Sequence, residues 1–185
     1  MMWIVLGVVV LLLLWLMLVY NRMVSLRQTT GQAWSDVDVQ LKLRHDLVPN
    51  LVETVRGYAA HERGTLEAVM AARGSALTAQ GPAAQAQAEG QLGAALGRLM
   101  AVVEAYPDLK ANQNFLQLQA QLADIDGKIA AARRFFNNAV AEYNSIIQSV
   151  PAVFIAGSLG VTARTFFEVT EAERAVINPA PQVKF

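Results

Sequence analysis

Residues 1–19 read MMWIVLGVVVLLLLWLMLV and contain no charged side chain. A helix of 19 residues is about 29 Å long, close to the thickness of the hydrocarbon core of a bilayer. Trp3 and Tyr20 lie near the two ends of this run, where aromatic rings commonly anchor a helix at the membrane interface. No basic residue precedes the run and no small-residue cleavage motif closes it. We therefore interpret it as a retained transmembrane helix and not as a cleaved signal peptide.

The charges beside this run predict its orientation. Arg22 and Arg27 follow the apolar segment, and no charged side chain precedes it. Since basic residues favour the cytoplasmic side, we expect the N-terminus outside and the rest of the chain in the cytoplasm.

Helical periodicity dominates the chain from Trp34 onward. Apolar residues recur every three or four positions from Trp34 to Arg73, and the phase does not change at Pro49, so we predict one long, kinked helix. A second helix is predicted over residues 83–105. A third, over residues 115–150, keeps a heptad-like spacing that is typical of coiled-coil packing.

These patterns predict an all-α protein: an N-terminal transmembrane helix followed by an antiparallel bundle of long helices, three long and one short. The short element is the apolar segment 153–161, which cannot span a bilayer and which we expect to be a packing helix or an interfacial segment. The predicted organisation is a transmembrane anchor at 1–20, a juxtamembrane helical connector at 21–33, the bundle at 34–161 and a C-terminal tail at 162–185.

Composition and motifs argue against most chemistries. The 15 basic and 15 acidic residues balance, so no nucleic-acid partner is expected, and the absence of cysteine excludes disulfides and thiolate ligands. His45 and His61 have no ligand partners at helical spacing, and we expect both on the surface. We predict no metal, no cofactor, no small-molecule substrate and no enzymatic activity.

Arginines on the apolar stripes are the most informative polar residues. Arg44 and Arg73 occupy core positions of the first predicted helix, and Arg133 lies beside the stripe of the third. A buried guanidinium needs a carboxylate or several carbonyl groups. We expect the three arginines to set the register between helices; the alternative is a site for an anion or lipid headgroup. Carboxylates considered as their partners are Asp38, Asp46, Glu53, Glu104 and Glu142.

The stretch WSDVDVQLKLRHDLVPNLV at 34–52 resembles the signature of the LemA family, and YPDLKAN at 106–112 and IAAARR at 129–134 follow in the family's order. Gly127 is a departure, because glycine weakens the third helix at a position where the family usually has asparagine. The resemblance implies an antiparallel helical bundle on an N-terminal anchor in the bacterial inner membrane, with the bundle in the cytoplasm. It implies no particular reaction.

The helix lengths suggest a function. The first and third predicted helices are about 60 Å long and the second about 35 Å, so one short helix would leave apolar stripes uncovered. We therefore expect a membrane scaffold or adaptor that contacts lipid and forms a homo-oligomer or binds a partner membrane protein. The aromatic residues of the tail, Phe166, Phe167 and Phe185, are the predicted oligomer contacts. The alternative is an accessory subunit of a membrane enzyme, such as a protease complex.

Overall fold

The computed structural model describes residues 1–157 and 160–168. These residues form helices and no strand, which confirms the predicted all-α fold. The helices are α1 Met2–Arg56, α2 Arg63–Thr78, α3 Pro82–Val103, α4 Pro107–Lys110, α5 Gln113–Gln148 and α6 Ala152–Ala156.

Helix α1 extends without interruption from the apolar N-terminal run through Pro49 to Arg56, over 55 residues. The prediction of a single helix to Arg73 is wrong, because the chain turns at residues 57–62 before α2 begins. Tyr58, which continues the apolar spacing of the predicted helix, is exposed at this turn, where its hydroxyl accepts a hydrogen bond of 2.9 Å from Asn112. The apolar phase persists across the turn because both helices contribute to the same core.

The turn at residues 57–62 brings α2 back against α1, so the helix lengths and the covered apolar surface differ from those predicted. Leu66 and Val69 of α2 are buried in the same cluster as Val48 and Val55 of α1. Helix α2 therefore covers part of the apolar surface that we predicted to lack an internal partner. The predicted mismatch between two long helices and one short helix is wrong.

The later helices begin close to the predicted positions. Pro82 is the first residue of α3, where its missing N–H costs nothing, and Gly81 precedes it with a φ of 82° that favours glycine. At the start of α5, the side-chain oxygen of Asn112 accepts a hydrogen bond of 3.0 Å from the amide of Phe115, as an N-cap does. Of the apolar segment predicted at 153–161, the first residues belong to the short helix α6, which ends at Ala156.

The chain divides into two compact units. The first, called here the anchor unit, comprises Met1–Asp38 and Ala131–Phe166. The second, called here the central unit, comprises Val39–Ala130 and Phe167–Phe185.

The central unit has an apolar core built by α1, α2, α3, α4 and the first part of α5. Its fully buried members include Val52 and Val55 of α1, Leu99 of α3, Leu109 of α4 and Phe115 of α5. Burial of each large side chain of this kind stabilises the fold by about 1.5–3 kcal/mol.

The anchor unit has a smaller core. Met23 and Leu26 of α1 pack with Tyr143 and Ile147 of α5, and Ala152 and Ala156 of α6 complete the cluster. Farther along the same two long helices, the rings of Trp34 and Phe136 lie 5.2 Å apart and tilted.

Candidate functional site: a buried polar cluster

Polar and charged side chains from four helices meet inside the central unit. We call this group the buried polar cluster; its members are Arg44 and His45 of α1, Arg73 of α2, Gln85 and Glu89 of α3, and Asp126 of α5. Four of them are less than a tenth exposed: Arg44, His45, Gln85 and Glu89. Burying a charged group costs free energy unless nearby donors and acceptors compensate it. The partners of each side chain therefore decide between a structural contact and a binding site.

Glu89 is the acceptor at the centre of the cluster. Arg44 Nη1 lies 3.2 Å from Glu89 Oε2, while His45 Nε2 and Gln85 Nε2 lie 2.6 Å and 3.0 Å from Glu89 Oε1. An ionised carboxylate only accepts hydrogen bonds, so with Glu89 ionised His45 Nε2 is the donor in this contact. Both carboxylate oxygens of Glu89 are therefore engaged by donors from within the protein.

Arg73 compensates for the proline inside α1. In a helix the carbonyl of residue 45 would accept from the amide of residue 49, but Pro49 has no N–H. Arg73 Nε donates to this carbonyl oxygen of His45 at 2.7 Å. The guanidinium of α2 thus replaces the backbone donor that the proline removes, which explains how α1 continues through Pro49 with its carbonyl satisfied.

Gln85 and Asp126 extend the cluster to its edges. The Gln85 amide also donates to the carbonyl oxygen of Ala76 at 3.0 Å, which connects α3 with α2. Asp126 Oδ1 lies 3.4 Å from Arg44 Nε, and the Asp126 side chain is half exposed. Partial burial raises the pKa of the Asp126 carboxyl above its ordinary value; Arg44 opposes this shift and the charge of Glu89 adds to it.

The structure assigns surroundings to each arginine that the sequence singled out. Arg44 and Arg73 belong to the buried polar cluster, and Arg133 is half-buried on α5 in the anchor unit. None of the carboxylates proposed as their partners pairs with Arg44, which instead contacts Glu89 and Asp126.

Three of the five carboxylates considered earlier have partners elsewhere. Glu53 pairs with Arg56, Glu104 with Lys110, and Glu142 with Arg22.

Two predictions about polar residues differ in outcome. His61 is exposed as expected, but the expectation of a surface position for His45 is wrong, because its ring is buried against Glu89. Gln85 and Glu89 were not singled out at all. The signal was present, since both continue the stripe that Leu92 and Leu96 define three or four residues apart.

Two of the three predicted tail contacts lie in the described part of the chain. Phe166 is partly exposed, Phe167 is buried, and Phe185 lies outside the described residues. A burial of this kind makes Phe167 part of the fold, so its removal is expected to disturb the chain itself.

Fold and site together define a membrane-associated helical bundle with an internally paired polar core. Among the described residues, one helix is long and apolar enough to cross a membrane, namely α1, and its most apolar window has no residue buried in the protein. An apolar window in which no residue is buried differs from a buried core helix of a soluble protein.

The chain belongs to the LemA family, whose family model matches residues 33–185. It is similar to the magnetosome protein MamQ of Magnetospirillum gryphiswaldense, with 28% identity over 89% of this chain and 70% of the relative. The magnetosome protein MamQ 2 of Paramagnetospirillum magneticum is 27% identical over the same shares. The protein LemA of Metamycoplasma hominis is 23% identical over 85% of this chain and 73% of its own.

Proposed function

We propose that this protein is a membrane-tethered helical scaffold or adaptor that assembles with copies of itself, or with a partner protein, at the membrane, and that it has no catalytic role. The buried polar cluster carries this proposal. Its central carboxylate, Glu89, is engaged by Arg44, His45 and Gln85, and the Arg73 guanidinium is used by a backbone carbonyl. Groups arranged in this way set helix register, whereas a catalytic or anion site needs groups that face a substrate.

Continuity of α1 supports the role as a tether. The helix that carries the apolar run also supplies Met23 to the core of the anchor unit and Val52 to the core of the central unit. The proposed membrane span therefore passes into the packed part of the chain within one helix, without a loop. A protein held in this way is confined to the membrane plane, where even a weak lateral contact can populate an assembly.

Two exposed apolar residues on α1 are the proposed site of this lateral contact between proteins. Val39 and Leu43 lie one helical turn apart in the central unit and are 54% and 47% exposed. Residues four apart share a helix face, so the two side chains form one apolar ridge outside the predicted span. We propose a second copy of this chain as the occupant of the ridge.

Crosslinking in intact membranes tests the scaffold. An amine-reactive crosslinker, followed by mass measurement of the gently extracted protein, should give a ladder of self-multiples. Leu43→Glu should shorten the ladder, while Leu77→Glu, at an apolar position of α2 with 51% exposure, should leave it unchanged. A single heterologous band would favour the adaptor over the homo-oligomer. A protein that stays monomeric at every lipid-to-protein ratio and crosslinks to nothing would overturn the proposal.

The tail is a second proposed contact. Because Phe167 is buried, a deletion should begin after Glu168 and remove residues 169–185, including Phe185. We expect a smaller assembly with nearly the same helix content by circular dichroism. An assembly of unchanged mass would remove the tail from the interface.

The proposed orientation places the N-terminus outside and the helical units in the cytoplasm of a bacterial cell, with the inner membrane as the site. Protease added to intact cells should then spare a tag at the C-terminus, and lysis should expose it. Degradation of the tag without lysis would show the opposite orientation.

A further inference from the structure

Helices α1, α5 and α6 form a groove at the level of the apolar run. The groove has a volume of about 260 Å³ and belongs entirely to the anchor unit. Its lining is largely apolar: Trp15, Leu18 and Val19 come from α1, and Ile146, Val150 and Pro151 come from the end of α5 and the turn that follows. Arg22 and Ser149 are its polar lining residues.

The groove indicates how deep in the membrane the end of α5, the following turn and α6 lie; residues 149–156 are called here the α5–α6 corner. Trp15, Leu18 and Val19 are within the run whose length matches the bilayer hydrocarbon, near its C-terminal end. Side chains that line the same groove from the other helices must lie at a similar depth. The turn around Pro151 therefore stands beside the C-terminal end of the apolar run, while the opposite face of α6 packs against Met23 and Leu26 just after it.

Helix α6 presents an apolar face away from the core. Ala152 and Ala156 are buried in the cluster of the anchor unit, and this contact fixes the rotation of the short helix. On the remaining surface, Phe154 is 75% exposed, Val153 is 43% exposed, and Val150 before the helix is 74% exposed. Three neighbouring apolar side chains exposed beside a membrane helix match a lipid environment better than water.

The charge pattern agrees with this placement. Residues 143–163 contain no charged side chain. Charged residues stand at the two boundaries of the segment: Glu142 pairs with Arg22, and the Arg164 guanidinium lies 5.5 Å from the centre of the Tyr143 ring. Arginine and tyrosine are residues that favour the membrane interface, so they would mark the level at which the segment enters the lipid.

We propose that the α5–α6 corner, with Val150, Val153 and Phe154 outward, enters the same lipid leaflet as residues 15–19 of α1. The segment is too short to cross the bilayer, so it dips into one leaflet and returns. The protein thus contacts the membrane at two places in its sequence. The second contact gives the anchor unit a fixed depth and rotation in the membrane, which a single transmembrane helix does not provide by itself.

Spin labelling tests the proposal in the full-length protein. The chain has no cysteine, so Phe154→Cys creates one site for a nitroxide label at an exposed position. The protein is reconstituted into phosphatidylcholine–phosphatidylglycerol vesicles, and collisions of the label are measured with oxygen, which dissolves in hydrocarbon, and with a water-soluble nickel chelate. We expect frequent oxygen collisions and a loss of nickel collisions.

Matched labels calibrate the result. Leu18→Cys, in the apolar run, gives the lipid reference, and Leu77→Cys, an exposed apolar position of α2, gives the aqueous reference. The label at residue 154 should resemble the first, and Val150→Cys should repeat it. Nickel access equal to that of Leu77→Cys would overturn the proposal, and so would protection from both reagents, which would indicate a covering protein. Helix content of each variant is checked by circular dichroism, and none of these readouts depends on self-assembly.

Discussion

Helix α1 packs by different means in the two units. In the central unit it buries Arg44 and His45 beside Glu89, surrounded by a large apolar core. In the anchor unit it buries the apolar residues Met23 and Leu26, while its ion pair from Arg22 to Glu142 remains half exposed. Helix α1 therefore adds desolvated charged contacts to its apolar packing in the central unit, whereas its buried packing residues in the anchor unit are apolar.

The difference between the two units indicates which contacts fix the register of α1. Apolar contacts tolerate sliding and repacking, since many arrangements bury similar area. A buried charge tolerates few arrangements, because any shift leaves it without its partner. We infer that the register of α1 against α2, α3 and α5 is fixed mainly by the buried polar cluster, whereas the anchor unit takes its position from apolar packing and from the membrane.

The largest expected effect comes from Glu89→Leu. The change leaves Arg44 and His45 without their shared carboxylate and should lower the free energy of unfolding by about 3–5 kcal/mol. Urea unfolding of the detergent-solubilised protein, followed by circular dichroism, measures the loss. The matched control is Glu142→Leu, which removes an exposed pair and should cost about 1 kcal/mol or less. Equal losses for the two variants would contradict the comparison between the units.

A combined variant separates stability from register. Replacing Arg44, His45 and Glu89 together with leucine removes the buried groups that Glu89→Leu leaves without a carboxylate, and replacements of this kind are often neutral or stabilising. The half-exposed Asp126 then loses its contact of 3.4 Å with Arg44. We expect stability to recover much of the loss caused by Glu89→Leu. If the cluster sets register, the near-ultraviolet circular dichroism and the amide spectra of the central unit should still broaden. Sharp, native-like spectra would show that apolar packing alone is sufficient.

The next largest loss of stability is expected when a carboxylate is introduced at a buried position where the buried polar cluster supplies no partner. Ile129 is buried, so Ile129→Asp should lower the free energy of unfolding by about 3 kcal/mol. Gln119→Ala, at an exposed position of the same helix, should be nearly silent. Thermal unfolding of the two variants makes the comparison, and identical transition temperatures would show that the predicted phase of α5 is wrong.

The third effect concerns Arg73 and Pro49 as a pair. Arg73→Met removes the donor to the His45 carbonyl and should cost about 1–3 kcal/mol, because that carbonyl has no backbone donor opposite Pro49. In a Pro49→Ala background the helix supplies its own N–H, so the same change should cost less. The double-mutant cycle measures the coupling. Equal costs in both backgrounds would mean that Arg73 does not replace the missing amide.

The sequence predicts those helices whose ends carry local signals. Pro82 and Pro151 mark boundaries that the structure also has, because proline has a fixed φ and no N–H. The turn after Arg56 has no proline to mark it: Gly57 is its first residue, and the apolar phase continues into α2. That turn depends on tertiary packing of Leu66 and Val69 against α1, which no local pattern reports.

The buried polar cluster was predictable in part. The position of Arg44 on an apolar stripe indicates that the guanidinium needs a partner, but the identity of the partner depends on how four helices align. The five carboxylates considered first omit Glu89 and Asp126, although both lie on apolar stripes themselves. Polar residues that lie on apolar stripes are therefore better identified together, across all the helices, than separately.

The smallest expected effect is a pH dependence at the edge of the cluster. Partial burial raises the pKa of the Asp126 carboxyl in the folded protein, so the folded state binds its proton more tightly than the unfolded chain does. Between the ordinary and the raised pKa, the folded state therefore holds more protons. The contribution of this group to stability is fully present below the ordinary pKa and is lost as the pH rises through the raised one.

Asp126→Asn isolates this contribution, because asparagine keeps the shape of the side chain and does not titrate. The unfolding free energy of the wild type minus that of the variant should increase as the pH is lowered from neutrality through the interval between the two pKa values. Arg44 keeps its contact with Glu89 in the variant, which limits the change at neutral pH to the weaker contact at 3.4 Å. Urea unfolding at a series of pH values gives the difference, with Gln119→Ala as the control whose curve should run parallel to that of the wild type. A difference that decreases on acidification would mean that the Arg44 charge, and not burial, dominates the carboxyl, and the edge of the cluster would then resemble its buried centre.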